Sequence, residues 1–295
     1  MKENTFKALL AERAEKIEKK LDELLSKKDD DFSVLTEASR YSALGGGKRI
    51  RGFLATEFAR LGGENSDKVL VYASLVEMIH AASLIHDDLP CMDDDDIRRG
   101  KPSAHIAFGE ATALLAGDAL MIYPYEVIAS MDGVSAEERL EAMKILSEAS
   151  GMYGMIGGQQ MDISGDVRTE EKLVKLQSLK TGRMIRAACL LGCIASGHFE
   201  GSKLYNAAVV YADRIGLAFQ IIDDLLDVTG DPKLLGKNVG MDEKNDTFTF
   251  AKLFSYEEAF DKAAQYTAQA CAAVSQFESS EILIDLAKDL LMRNN

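Results

Sequence analysis

Apolar residues recur at helical spacing along most of this chain. Phe6, Leu9, Leu10, Ile17, Leu21 and Leu24 form one stripe in a charged background, which predicts an amphipathic surface helix over residues 2–27. A second helix is predicted over Phe32 to Leu44, stopped by Gly45-Gly46-Gly47. Leu75, Met78, Ile79, Ala82 and Ile85 define a long helix from Asn65 to Leu89, disturbed by Pro90. Phe108 to Met131 reads as a helix rich in Ala and Gly, suited to close packing. Ser135-Ala-Glu-Glu138 and Ser255-Tyr-Glu-Glu258 have the capping-box pattern. The first starts a helix ending near Ser150, Thr169 starts another, and the last helices run to Leu291. Few prolines, no tryptophan and no Pro/Gly/Ser-rich linker fit one all-α domain over residues 1–295.

Charge narrows the partners. The net charge of −14 argues against nucleic acid and anionic membrane surfaces. An acidic protein that binds an acidic ligand needs metal between them. Cys91, Cys189, Cys193 and Cys271 make no CxxC pair and no zinc spacing, and Cys189 and Cys193 stand i,i+4 as packing residues. No signal peptide is read at the start, and the longest apolar run, Ala111 to Met131, is cut by Asp118. A reduced, cytoplasmic protein without a membrane span is expected.

The carboxylates then stand out. Asp87, Asp88, Asp93, Asp94, Asp95 and Asp96 crowd into ten residues, followed by Arg98 and Arg99. Taken alone, such a run also suits a solvated loop. It lacks the Gly and Glu positions of a calcium loop. Mg²⁺ takes one or two carboxylates from protein and fills its shell with water and substrate phosphates. Arginines bind phosphate with paired hydrogen bonds. Because Pro90 breaks the helix, Asp87 and Asp93 are able to face one site from two segments. Gln220, Asp223 and Asp227 form a second set at i, i+3 and i+7 on one face of an apolar helix. Burying such carboxylates is costly without metal or paired lysines.

Basic and polar segments accompany them. Gly46-Gly47-Lys48-Arg49-Ile50-Arg51 suits an anion at a helix start, or a basic turn among acidic neighbours; it is not a P-loop. His80 lies two turns before Asp87 on the same face. In Gly157-Gly158-Gln159-Gln160-Met161-Asp162 the glycines mark a break or a close helix approach, and Gln159 and Asp162 share a face, which suits a polar helix contact equally well. Lys180-Thr181-Gly182 places a cation and a hydroxyl at a helix break. Gly230 to Asp242 reads as a long loop of lid type carrying Lys237.

Two ordered Asp motifs with these flanking segments resemble the all-α trans-prenyltransferases, the isoprenyl diphosphate synthases that make farnesyl and geranylgeranyl diphosphate. The match runs from about Gly45 to about Phe250. His86 to Pro102 looks like the first Asp-rich motif in its long form, and Asp223-Asp-Leu-Leu-Asp227 like the second. The resemblance implies a helical bundle around a deep cavity, usually homodimeric. It implies that Asp87, Asp88 and Asp93, facing Asp223 and Asp227, hold up to three Mg²⁺ ions on an allylic diphosphate. Arg98, Lys180 and Lys237 would grip that diphosphate, and Lys48, Arg51, His80 and Arg99 would hold isopentenyl diphosphate. Thr181 and Gln220 would line the point where positive charge develops. Two positions depart from the pattern: Gln177 replaces a usual His, and Thr247 a common lysine. Farnesyl-type bacterial relatives place an aromatic five residues before the first Asp; Ala82 stands there, with Ser83 next, so a C20 product is slightly favoured over C15, with Met121 and Tyr125 as other candidates for the floor. A terpene cyclase would lack the isopentenyl diphosphate site, and a regulatory subunit would be expected to lose an Asp motif; neither loss is seen here.

Overall fold

The computed structural model describes residues 3–27, 30–229 and 248–293. Its helices are α1 (Glu3–Leu24), α2 (Ser33–Ala43), α3 (Ile50–Leu61), α4 (Asp67–Asp87), α5 (Ala104–Phe108), α6 (Glu110–Ser130), α7 (Ala136–Ser150), α8 (Met155–Ser164), α9 (Glu170–Gln177), α10 (Arg183–Ala195) and α11 (Lys203–Thr229). After the undescribed stretch come α12 (Phe250–Leu253), α13 (Tyr256–Val274) and α14 (Glu281–Met292). The fold is all-α, as the periodicity indicated. Among the described residues the exception is a hairpin of two-residue strands, β1 (Ile97–Arg98) and β2 (Lys101–Pro102).

α10 is the axis of the bundle. From Met184 to Ala195 every residue but Arg186 is buried. It packs against α3, α4, α7 and α11. Glycine sets the closest of these approaches: a Cβ on Gly192 would lie 2.3 Å from the Ala55 carbonyl oxygen of α3. α4 lies against α6 in the same manner, with the His86 ring over Gly117. The buried Cys189 and Cys193 are packing residues, and burial pushes both thiols far up. A second, smaller core joins α9, α11, α12 and α13 through Leu173, Leu176, Ile221, Leu225, Phe250 and Ala259.

Both capping sequences start helices, but only one is reciprocal. At α13 the Ser255 side chain takes the Glu258 amide and the Glu258 carboxylate takes the Ser255 amide. At α7 Ser135 accepts from the Glu138 amide at 3.1 Å. The Glu138 carboxylate is drawn instead to the buried Tyr72 hydroxyl, at 3.1 Å, and to Lys68. By length and composition one described helix, Asp67–Asp87, is apolar enough to cross a bilayer. Two thirds of its apolar window (67%) is buried inside the protein, as for a core helix.

Candidate active site

The first Asp-rich segment folds back on itself. α4 ends at Asp87, and beyond Pro90 the chain turns so that the Asp93 amide donates to the Asp87 carbonyl oxygen at 2.9 Å. Met92 and Asp94 donate to Leu89, which tightens the turn. Asp87 and Asp93 thus come together although ordinary helical spacing would separate them. Burial pushes the Asp87 carboxyl up to about 6; Lys180 opposes the shift and the Asp93 carboxylate adds to it. Burial also raises Asp93, against the pull of Lys180.

Asp88 has a different surrounding. It is buried, and its Oδ1 accepts from Arg98 Nε at 2.9 Å and from a second nitrogen of the same guanidinium. Arg98 also pairs with Asp95 at 3.2 Å. The hairpin explains how Arg98 and Arg99 part company. Arg98 pairs with Lys101 in register, so Arg99 and Gly100 make a two-residue turn, at φ 54° and 74°. That is the geometry of a type I′ hairpin turn. Arg98 faces Asp88, whereas Arg99 reaches the other way to donate to the Gly46 carbonyl oxygen, its guanidinium close over Gly47.

Arg99 thereby joins the basic cluster. Burial and then Arg51 and Arg99 hold His80 well below its usual value, so this ring is neutral. Burial lowers Arg51 and Arg99 as well, and neighbouring arginines add to it. The Arg51 Nε is buried with no hydrogen-bond partner among the described residues. Lys48 is exposed on the same loop. Arg49 is tied elsewhere: it is buried at φ 49°, donates to the Ala43 carbonyl oxygen at 2.6 Å and pairs with Glu18 at 3.0 Å. Sequence reasoning gave Arg49 no role, and its spacing alone could not separate it from Lys48 and Arg51.

Lys180, Thr181 and Gly182 belong to a π-helical turn, Ser178–Gly182, between α9 and α10. Such turns often occur at functional sites. Burial pulls the Lys180 ammonium down, but Asp162, Asp87 and Asp93 together outweigh it and hold it above the usual lysine range. Thr181 Oγ1 donates to Gln220 Oε1 at 3.1 Å, which joins the π turn to α11. On α11 Asp223 accepts from Arg293 at 3.2 Å, and this guanidinium lies 3.9 Å above the Phe219 ring. Asp227 is buried. Asp224, one residue out of phase, is buried and takes the Phe250 amide at 2.8 Å, at the start of α12. Arg293 was missed because an arginine at the end of a helix carries no signal of what it meets. Lys237, Thr247 and the expected lid lie outside the described residues.

No three His, Cys, Asp or Glu groups among the described residues form a metal cage by themselves. Mg²⁺ does not need such a cage, since it draws the remainder of its shell from water and phosphate. Asp87 and Asp93, hard oxygen donors brought into one turn by the bond from the Asp93 amide to the Asp87 carbonyl oxygen, fit that ion on chemistry.

The polyprenyl synthetase family model matches residues 32–288. The chain is 39% identical to the farnesyl diphosphate synthase of Haemophilus influenzae over 267 residues, covering 88% of this chain and 89% of that one. It is 38% identical to the geranylgeranyl diphosphate synthase of Cyanophora paradoxa over 291 residues, covering 97% and 96%. The crystal structure of an FPP/GFPP synthase from Zymomonas mobilis superposes with a TM-score of 0.85 at 35% identity, over 97% of this chain and 99% of the other. With its paired Asp segments, its basic cluster and its all-α fold, the chain belongs to the polyprenyl synthetase family.

Proposed function

We propose that this protein is an Mg²⁺-dependent trans-prenyltransferase that joins isopentenyl diphosphate to dimethylallyl, geranyl or farnesyl diphosphate. Farnesyl or geranylgeranyl diphosphate is the product, with a slight preference for C20. The observation that carries it is the pairing of two clusters, each unfavourable alone. Asp87 and Asp93 crowd as carboxylates, and Arg51 and Arg99 crowd as cations around a neutral His80. A metal-bound diphosphate relieves the first and a second diphosphate the second.

Asp87 and Asp93, with Asp223 and Asp227 on α11, would hold the metal, whereas Asp88, counted with them in the sequence, is buried against Arg98. Asp88 orients Arg98 through their ion pair. Mg²⁺, when bound, neutralises the charge that grows on the leaving diphosphate. Lys180 and Arg98 grip the same group from the protein side. Lys48, Arg51, His80 and Arg99 hold isopentenyl diphosphate. The allylic C–O bond breaks, the double bond of isopentenyl diphosphate attacks the allylic cation, and a proton leaves to the departed diphosphate. Thr181 and Gln220 place oxygen dipoles where positive charge develops. The growing chain needs an apolar path within the single domain of residues 1–295, which would keep water from the cation.

A product assay tests this. Purified protein with isopentenyl diphosphate, each allylic starter and Mg²⁺ is expected to give a C15 or C20 diphosphate by mass spectrometry, and EDTA is expected to abolish it. No elongation with any starter would refute the assignment. Ala82 is fully buried on α4, just above the half-buried Ser83. In the same assay Ala82→Tyr is expected to shorten the product; an unchanged length would move the floor to another residue, such as Met121 or Tyr125.

The enzyme is expected to be cytoplasmic and homodimeric. Leu114, Leu115 and Ile122 on α6 are 46%, 56% and 66% exposed, an apolar face that a second copy would cover. Light scattering should give about twice the mass of one chain, and a monomer would remove this part of the proposal.

A further inference from the structure

One helix bordering the site has no part in the chemistry proposed for it. A Cβ on Gly158 of α8 would lie 2.4 Å from the Lys180 amide nitrogen and 2.7 Å from its Cα. The helix therefore rests directly on the backbone of the π turn, and only glycine permits it. One turn on, at i+4 and so on the same face, Asp162 accepts from Lys180 Nζ at 2.6 Å. Gly158 admits the helix and Asp162 catches the ammonium. Between them in sequence Gln159 Oε1 is buried with no hydrogen-bond partner among the described residues. Lysine is a flexible stem with a point charge, so its head is useful only where something fixes it. The Asp87 and Asp93 carboxylates attract the same ammonium.

We propose that Asp162 is a positioning residue of the allylic site, holding the Lys180 ammonium where it meets the diphosphate. The proposal rests on the prenyltransferase function. Two other roles are physically possible for the pair. It ties α8 to the π turn and does nothing more, or Asp162 competes with the ligand for the ammonium. Removing the charge separates the three. A tie changes stability and leaves ligand affinity alone. A competitor, once removed, lets diphosphate bind more tightly. A positioning residue, once removed, weakens binding, and only through Lys180.

The test uses Asp162→Asn, Lys180→Met and the double variant. Calorimetry with inorganic diphosphate and Mg²⁺ gives affinity independently of turnover, and steady-state kinetics give KM for geranyl and for isopentenyl diphosphate. Melting temperature is recorded for each. Asp162→Asn is expected to raise the diphosphate Kd and the geranyl diphosphate KM about tenfold, the size of one charge-assisted contact. The isopentenyl diphosphate KM is expected to stay within about twofold. In the Lys180→Met background Asp162→Asn is expected to add nothing to either loss. Unchanged or tighter diphosphate binding in Asp162→Asn would overturn the proposal. So would a loss of the same size on top of Lys180→Met. A wild-type protein that neither binds diphosphate nor elongates any starter would overturn the function itself. A competent wild type with an unaffected Asp162→Asn overturns only the role of Asp162.

Discussion

Replacing Asp87 with Asn is expected to lower kcat/KM by about a thousandfold or more, while leaving the metal-free fold at least as stable. The activity loss follows from the metal. A metal ion contributes several kcal/mol to the stabilisation of a leaving diphosphate, and each ~1.4 kcal/mol is a factor of about ten in rate. Asp87 and Asp93 are brought together by one backbone hydrogen bond, so neither substitutes for the other. The stability expectation has the opposite sign because the carboxylate is held against its preference. Its value in the folded chain, about 6, lies above its ordinary 3.8, chiefly through burial. The folded state thus binds more protons than the unfolded chain between these values, and the metal-free protein loses stability as pH rises through that window. Asn removes this penalty. Metal affinity should rise with pH through about 6, since the ion needs the carboxylate ionised. Turnover and thermal melting with and without Mg²⁺ check both halves. An Asp87→Asn enzyme within about tenfold of wild type would place the metal elsewhere.

That carboxylate pair was legible in the sequence because its cause is local. Pro90 breaks α4 one turn above Asp93, and the break lets residues six apart meet. The helices were legible for the same kind of reason, since 3.6-residue periodicity is written in the chain itself. The α6 composition announced close packing, and Gly117 under His86 is that contact. The features that were not legible are set by other parts of the molecule. β1 and β2 have two residues each, too short for any alternation to show. The π turn at Ser178–Gly182 inserts its extra residue without breaking the apolar pattern on either side. The Asp-rich motif gave Asp87 and Asp88 the same standing, yet Asp88 is buried against Arg98. The difference comes from the hairpin. Arg293 meets Asp223 only because α14 ends beside α11.

The buried charge cluster behind the basic loop is the other case where tertiary contact decides, and the expected effect is on folding itself. Glu77→Ala should cost about 3–5 kcal/mol, the usual range when one partner of a buried ion pair is removed. Glu77 is 3% exposed on α4 and serves two groups of the Gly46–Arg51 segment and α3. Its Oε1 accepts from the Gly52 amide at 2.9 Å. Gly52 is the third residue of α3, so this amide is one of those a helix start leaves without an internal partner. The other oxygen lies 3.6 Å from Arg49, which is also 3% exposed. Without Glu77 the Arg49 guanidinium keeps, among the described residues, the half-exposed Glu18 alone as counter-charge, and the α3 amide loses its acceptor. Glu77 also opposes the mutual repulsion of Arg51 and Arg99. The basic loop should therefore loosen, and KM for isopentenyl diphosphate should rise more than KM for the allylic partner. Glu77→Gln keeps an oxygen for the Gly52 amide and loses the charge, so its cost should be smaller. Urea unfolding of the two variants measures the difference directly. A Glu77→Ala midpoint equal to wild type would mean that the loop is held by its backbone alone, and that Arg49 tolerates burial without a buried partner.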